Sequence, residues 1–402
     1  MSKTALEGVR VLEYCHTMAG AYCARQLADL GAEVVKIEKP LVGDEARRTG
    51  PFPGDAEDPE KSGLFLYLNT SKLGITLDPA TAGGGRIFAQ LAAKSDVVIE
   101  DNPPGFMESI GLGYRELSEL KRDLIVTSIT PFGQVGPYSG YRACGLNVYH
   151  GSGLGHITPE GHGDLDQPPL RQGKYAVEYA CGIGAALVTL GALLNGEMTG
   201  QGQLIDFSMQ EWEMNLLKPK WTMYTYEGFA PNRKTVVRQG HRMLPCKDGH
   251  FILLMLEEHQ WIGLTELVDR PEWLVDERFS EAYARAENGS ELNRLISEWA
   301  KDHTMREIYH RGQELGVPVG MVNSPGDIFS SPQLAEREFL VEIEHPVAGN
   351  LTYPGTPYRM SETRCGAKSS APTLGQNNDD IYVKLLGFRP EDLAMLRCEG
   401  AI

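Results

Sequence analysis

Basic residues are in short supply. Against 54 Asp and Glu stand only 38 Lys and Arg, so the 402-residue chain carries a formal net charge of −16. No stretch concentrates Lys and Arg enough to neutralise a phosphate backbone, which excludes a general nucleic-acid binder but leaves room for a local basic pocket around a small anion. Cysteine is sparse and unpatterned. Cys15, Cys23, Cys144, Cys181, Cys246, Cys365 and Cys398 are odd in number, and no spacing among them matches a zinc site or a disulfide framework. They read as reduced thiols of a cytoplasmic protein. The ten histidines form no ligand-spaced pair on a helix, so no metal is expected. The opening MSKTALEGVRVLEY lacks the basic-then-apolar layout of a signal peptide, and no charge-free run reaches membrane-span length. A Walker motif, G-x-S-x-G and H-E-x-x-H are missing too.

What is present is an alternation of strand and helix patterns in the first half. GVRVLEY (8–14) is a short apolar strand, AGAYCARQLADLGA (19–32) an amphipathic helix closed by Gly31, and EVVKIEK (33–39) the next strand. This β-α-β unit implies a parallel sheet with a right-handed crossover. GRIFAQLAAKS (85–95) adds a helix, DVVIED (96–101) and LIVTSITPF (124–132) add strands, and a long helix begins near Ala176. QLIDFSMQEWEMNLL then joins a strand to a further helix. The first strand-to-helix turn, EYCHTMAGAYCARQ, holds a single glycine in place of G-x-G-x-x-G, so an NAD or FAD dehydrogenase is not expected. Gly83, Gly84 and Gly85 precede a helix but follow no strand, and read as a loop.

Local character changes after about residue 220. RMLPCKDGHFILLML suggests antiparallel strands around a Lys-Asp-Gly turn, and ELNRLISEWAKDH and MREIYHRGQELG are amphipathic helices. The expected organisation is α/β: residues 1–220 as the N-terminal part of a large parallel-sheet domain, 221–335 as a smaller α+β domain, and 336–402 as a return to the large domain, helical from LGQNN to the end. His241 and Trp261 are the middle section's plausible pocket-lining side chains.

One charge interrupts the start of the long apolar helix, Glu178 in YAVEYACGIGAALVTLGALLNG. A carboxylate in a first helical turn complements the helix dipole and could simply face solvent. The alternative is a carboxylate at the edge of a cleft, used as nucleophile or base.

Longer stretches resemble a known family. VLEYCHTMAGAYCARQLADLGAEVVKIEKPLVGDEAR, NTSKLGITLD, SDVVIEDNPPGFMESIGLGY, ITPFGQVGPYSGY, EMTGQGQLIDFSMQE and HPVAGNLTYPGTPYRMS are similar, in order, to the class III CoA-transferases, the group of the formyl-CoA and carnitine CoA-transferases. The resemblance implies a Rossmann-like large domain built from both chain ends, a smaller second domain, and subunits interlocked as a dimer. It implies coenzyme A thioesters and free carboxylic acids as substrates, with neither metal nor NAD, and no nucleic acid or membrane as partner. It also implies covalent catalysis by a carboxylate, through an acyl-enzyme anhydride and an enzyme–CoA thioester.

The family sets its nucleophilic aspartate in a G-x-x-x-x-D-x-x-x-G pattern, which falls here on Gly173, Glu178 and Gly182. Glutamate has the same functional group on an arm longer by about 1.5 Å. For CoA binding the resemblance implies Met18, Ala19, Lys39, Lys72, Asn102 and Arg142. Leu73 and Ser109 stand where basic residues are common, and Asp101-Asn102 replaces a usual Asn-aromatic pair. Three roles remain open: a transferase using Glu178, a non-catalytic subunit paired with an aspartate-bearing homologue, or an acyl-CoA racemase. Heteromeric members exist, such as the succinyl-CoA:benzylsuccinate transferase of anaerobic aromatic degradation. The racemase reading lacks its histidine, at Cys144, and its aspartate, at Glu178.

Overall fold

The computed structural model describes residues 4–159, 166–217, 220–234 and 241–402. Six strands form one parallel sheet: β1 (Arg10–Tyr14), β2 (Glu33–Glu38), β3 (Lys72–Thr76), β4 (Val97–Glu100), β5 (Ile125–Thr130) and β6 (Leu204–Ser208), in the order β3-β2-β1-β4-β5-β6. Alternate residues of each strand feed opposite faces, as the two-residue period requires. Val11, Val34, Val97 and Ile99 join one core, while Leu12, Val35, Ile75 and Val98 join the other.

The first core is covered by α1 (Met18–Asp29) and, further along the chain, by the long helix Ala176–Thr199. The second is covered by α2 (Ala82–Ala92) and by the end of the chain, where Ile381, Tyr382, Leu393, Leu396, Ala401 and Ile402 are buried. The large unit is thus an α/β layer structure built from both chain ends. Gly83, Gly84 and Gly85, expected in a loop, lie in the first turns of α2, with Thr81 Oγ1 accepting from Gly84 N at 3.0 Å. The strand that precedes them, β3, escaped notice because KLGIT opens on a charge and contains glycine.

Three more helices of this unit matter for the site: α3 (Gly145–Gly151), α4 (Ala176–Thr199) and α5 (Met209–Asn215). By length and composition α4 is apolar enough to cross a membrane, contrary to the expectation that no run is long enough. Its small residues serve core packing. A Cβ on Gly182 would lie 2.8 Å from Ala19 O of α1, so only glycine allows the two helices to approach this closely.

Contacts divide the chain into one unit comprising Met1–Thr158, Pro168–Ala230 and Glu338–Ile402, and a second comprising Pro159–Gln167 and Pro231–Arg337. In the second, β7 (His241–Cys246) and β8 (Gly249–Leu254) form an antiparallel hairpin, and β9 (Val319–Met321) extends it. Trp261, Trp273, Leu292, Ile296 and Ile308 from surrounding helices, with Phe279 from a turn, complete its own core. The C-terminal return to the first unit opens on a hairpin, β10 (Leu340–His345) and β11 (Gly349–Pro354), which was not assigned from the sequence, and ends in helices over Asp379–Leu385 and Pro390–Cys398.

Beneath the sheet's C-terminal edge runs a buried ionic network. Glu13 sits between Lys36 (2.9 Å) and Lys72 (2.7 Å), and Lys36 also meets Asp44 at 2.7 Å. Burial pushes the Lys72 ammonium down against the opposing pull of Glu13. Glu13→Gln would leave the buried Lys72 ammonium without a carboxylate, while Lys36 keeps Asp44, and is expected to cost about 3–5 kcal/mol. Denaturant unfolding of the two proteins checks this.

Candidate active site

The sheet reverses its winding between β1 and β4, and in open parallel sheets ligands bind beyond the strand ends at such a switch point. Here the two residues that lead into α1 are tied to the end of β4: Asp101 accepts from His16 N (2.7 Å), Thr17 N (2.8 Å) and Thr17 Oγ1 (2.6 Å).

Glu178 lies in the first turn of α4, half-buried, after Tyr175 in a left-handed conformation. Its Oε1 accepts from Gly145 N, the first residue of α3, at 3.2 Å. Residue 145 must be glycine for this contact: a Cβ there would stand 2.4 Å from Glu178 Oε1 and 2.7 Å from its Cδ. The carboxylate faces a pocket of about 130 Å³ whose wall includes Cys144, Tyr149, Arg171, Lys174 and Tyr175. The Tyr149 hydroxyl is buried and has no hydrogen-bond partner among the described residues, which leaves an unused donor on a residue that lines the pocket. Arg171 and Lys174 bring positive charge to an otherwise acidic protein. None of Gly145, Tyr149, Arg171 or Lys174 stood out in the sequence, because none belongs to a spaced motif.

A second carboxyl group lies nearby. Glu213 of α5 is buried, with Oε1 lacking a partner. Burial, helped by the charge of Glu178, pushes Glu213 up from 4.5 to about 7. The folded protein therefore retains a proton there that the unfolded chain releases above pH 4.5, so this group's support for folding is complete below that pH and is lost as pH rises through 7. Replacing Glu213 with Gln should flatten the fall in stability between pH 5 and pH 8 by roughly 2–2.5 kcal/mol. Urea unfolding across that range measures it. Glu100, also pushed up to about 7, retains its own slope in both proteins, so the difference isolates Glu213.

The remaining expected residues are dispersed. Met18 is partly buried and packs in one cluster with Tyr175 and Tyr179, which flank Glu178 in sequence. It also lines a smaller pocket of about 70 Å³ with His16, Thr17 and Asp44. Ala19 is fully buried beneath α4. Lys39 and Arg142 are exposed, with no ion pair among the described residues. Asn102 is 4% exposed, its N and Nδ2 both donating to Glu100 Oε2 (2.8 and 3.1 Å).

Lys72 is buried: its Nζ donates to Ala21 O (2.8 Å) and Asn69 Oδ1 (2.9 Å) and lies 2.7 Å from Glu13 Oε2. Leu73 stands beside it in β3, and the Ser109 hydroxyl donates to Phe106 O at 2.7 Å. Cys144 shares the Glu178 pocket, its thiol 3.2 Å from Asn147 Oδ1. Trp261 lies in the second unit, buried; His241 begins β7, and nothing is described of its side chain. Among the described residues no group of three or more His, Cys, Asp or Glu could hold a metal ion.

Comparison with known proteins places this geometry in context. The profile of CoA-transferase family III matches residues 6–378. The succinyl-CoA–D-citramalate CoA-transferase of Chloroflexus aurantiacus is 31% identical, over 99% of this chain and 98% of that protein. Subunit BbsE of the succinyl-CoA:(R)-benzylsuccinate CoA-transferase of Thauera aromatica is 29% identical, over 95% of each. A crystal structure of a CAIB/BAIF family protein from Brucella suis superimposes with a TM-score of 0.85 at 28% identity, covering 96% of this chain and all of that one.

Proposed function

The chain belongs to CoA-transferase family III, and on that premise we propose that it moves CoA from an acyl-CoA thioester to a free carboxylic acid, with Glu178 as the covalent nucleophile. The observation that carries this reading is the seat of Glu178: its carboxylate opens on a pocket and rests on the N–H of a glycine whose missing side chain makes room for the longer arm.

In the first step a Glu178 oxygen attacks the thioester carbonyl and CoA leaves as thiolate, forming a mixed anhydride. The thiolate then attacks the Glu178 carbonyl, releasing the donor acid and leaving a glutamyl–CoA thioester. The acceptor carboxylate attacks that thioester, forming a second anhydride and freeing the thiolate, which finally takes the acceptor's acyl group and restores Glu178. The Tyr149 hydroxyl is placed to stabilise the oxyanions of these steps. Arg171 and Lys174 provide charge for an entering acid, while Lys39 and Arg142 serve the CoA phosphates, with Met18, Ala19 and Asn102 bordering the thioester arm. Such chemistry suits the cytoplasm, where acyl-CoA is made and used.

This route transfers one oxygen of the acceptor to Glu178 and then to the next donor acid released. Multiple turnover with an acceptor labelled at both carboxylate oxygens with ¹⁸O tests it by mass spectrometry. Single-¹⁸O donor acid is expected, and unlabelled donor acid would refute a carboxylate intermediate.

A partner subunit is also part of the proposal. Leu187, Leu194 and Met198 of α4, together with Trp221, Tyr224 and Tyr226 of the helix Lys220–Glu227, are exposed on the single chain. Apolar surface on this scale fits an interlocked dimer. The kinship with a named subunit favours a second reading, in which that partner is a homologue bearing the nucleophilic aspartate and this chain is non-catalytic. A racemase gains no support, because the group beside Glu178 is the Cys144 thiol and not an imidazole.

A further inference from the structure

The second unit holds a pocket of its own, about 120 Å³, whose wall includes Arg242, Met255, Leu256, Trp261, Arg285 and Ala286. Arg242, paired with Leu253 across the β7–β8 hairpin, is 9% exposed. Its Nη1 donates to Gly289 O at 2.9 Å and to Asn293 Oδ1, both neutral acceptors. Its Nε is buried with no acceptor, and it has no carboxylate within ion-pair distance among the described residues. Burial pushes the guanidinium down, with no anion to oppose it. A guanidinium withdrawn from water against neutral partners alone is unfavourable until an anion arrives.

The rest of the wall specifies that anion. Trp261 is 1% exposed, and its indole N–H, like Arg242 Nε, is buried without an acceptor. Arg285 lies over the indole ring at 4.8 Å and is already neutralised by Glu258 at 2.7 Å, while also donating to Phe279 O and Ser280 O. Glu257 borders the pocket but has a carboxylate oxygen 3.3 Å from His259 Nδ1. One unpaired planar cation beside one neutral N–H suits a monoanion with two in-plane oxygens. Met255, Leu256 and Ala286 offer only apolar contact. At the ~30 Å³ a water occupies in the liquid, the space admits about four non-hydrogen atoms, a carboxylate and the first carbon of its stem.

We infer that this pocket is a binding site for a small carboxylate, seated on Arg242 and the Trp261 indole N–H, with its short aliphatic stem against Met255, Leu256 and Ala286. The inference does not depend on the CoA-transfer reading, and no reaction step passes through it.

Butyrate is the probe, titrated into the full-length protein at constant ionic strength with chloride as the control anion. Indole ¹⁵N–¹H spectra supply the readout, with the Trp261 resonance assigned from Trp261→Phe. A saturable shift of that resonance is expected with butyrate and not with chloride. Arg242→Gln should weaken binding at least tenfold, and Arg242→Lys, which keeps the charge and loses the planar fork, should fall between. Butyrate should also raise the melting temperature of the native protein more than that of Arg242→Gln. An unmoved Trp261 resonance, or equal affinity in Arg242→Gln, overturns the site. If Arg242 merely ties β7 to the helix Gly289–Ala300, its variants lose stability while butyrate leaves native Trp261 unmoved, and that result overturns it too.

Discussion

Glu178→Gln is expected to lower CoA transfer by at least about ten-thousand-fold, the order seen when a covalent nucleophile is removed from a working site. The amide is the same size and its carbonyl oxygen can still accept from Gly145 N, so the contact at 3.2 Å and the helix start survive. What disappears is the anionic oxygen that attacks the thioester, so no anhydride can form. The loss should appear in kcat, with KM for acyl-CoA little changed, because CoA is held by other groups. Steady-state kinetics of the purified variant measure both. Undiminished turnover in an assembly carrying Glu178→Gln would give the chemistry to the partner chain.

Gly145→Ala should have the second-largest effect, about a hundredfold loss in kcat, the order associated with misplacing a reacting group by an ångström. The new methyl would stand 2.4 Å from Glu178 Oε1 and 2.7 Å from Oε2, distances that real side chains do not sustain. Position 145 has an ordinary negative φ, so the backbone accepts alanine and the carboxylate has to move. Adding Glu178→Asp to Gly145→Ala withdraws the carboxylate by about 1.5 Å and relieves the clash. The double variant is therefore expected to be more active than Gly145→Ala alone. In the native background Glu178→Asp should reduce activity, because the shorter arm retreats from the Gly145 N–H. This opposite sign in the two backgrounds is the signature of coupling between the two positions.

The sheet was legible because parallel strands buried on both faces read as short apolar runs separated by helical periods, as in VRVLEY and DVVIED. β3 was not, since Lys72 at its head looks like surface and its partner Glu13 lies on another strand. Lys72 became a candidate for CoA through the family resemblance, and its burial was not legible because a charged residue in sequence carries no sign of it. The hairpin β10–β11 was hidden by polar residues on an exposed, two-stranded face. Within the site, Glu178 was visible as the one charge near the start of an apolar helix. Gly145, Tyr149 and Glu213 were invisible because folding brings them to Glu178 from separate segments. Gly145 looks like any loop glycine until the position of its absent Cβ is known.

If Glu178 is the nucleophile, it becomes covalently modified during turnover. The direct test is to incubate the purified protein with an acyl-CoA and no acceptor, quench with hydroxylamine, and map the peptides by mass spectrometry. Hydroxylamine converts a glutamyl thioester or anhydride to the hydroxamate, and that mass change is predicted on Glu178 and on no other carboxylate. An unmodified Glu178 peptide, with the hydroxamate found on an aspartate of a co-purified subunit, would contradict it.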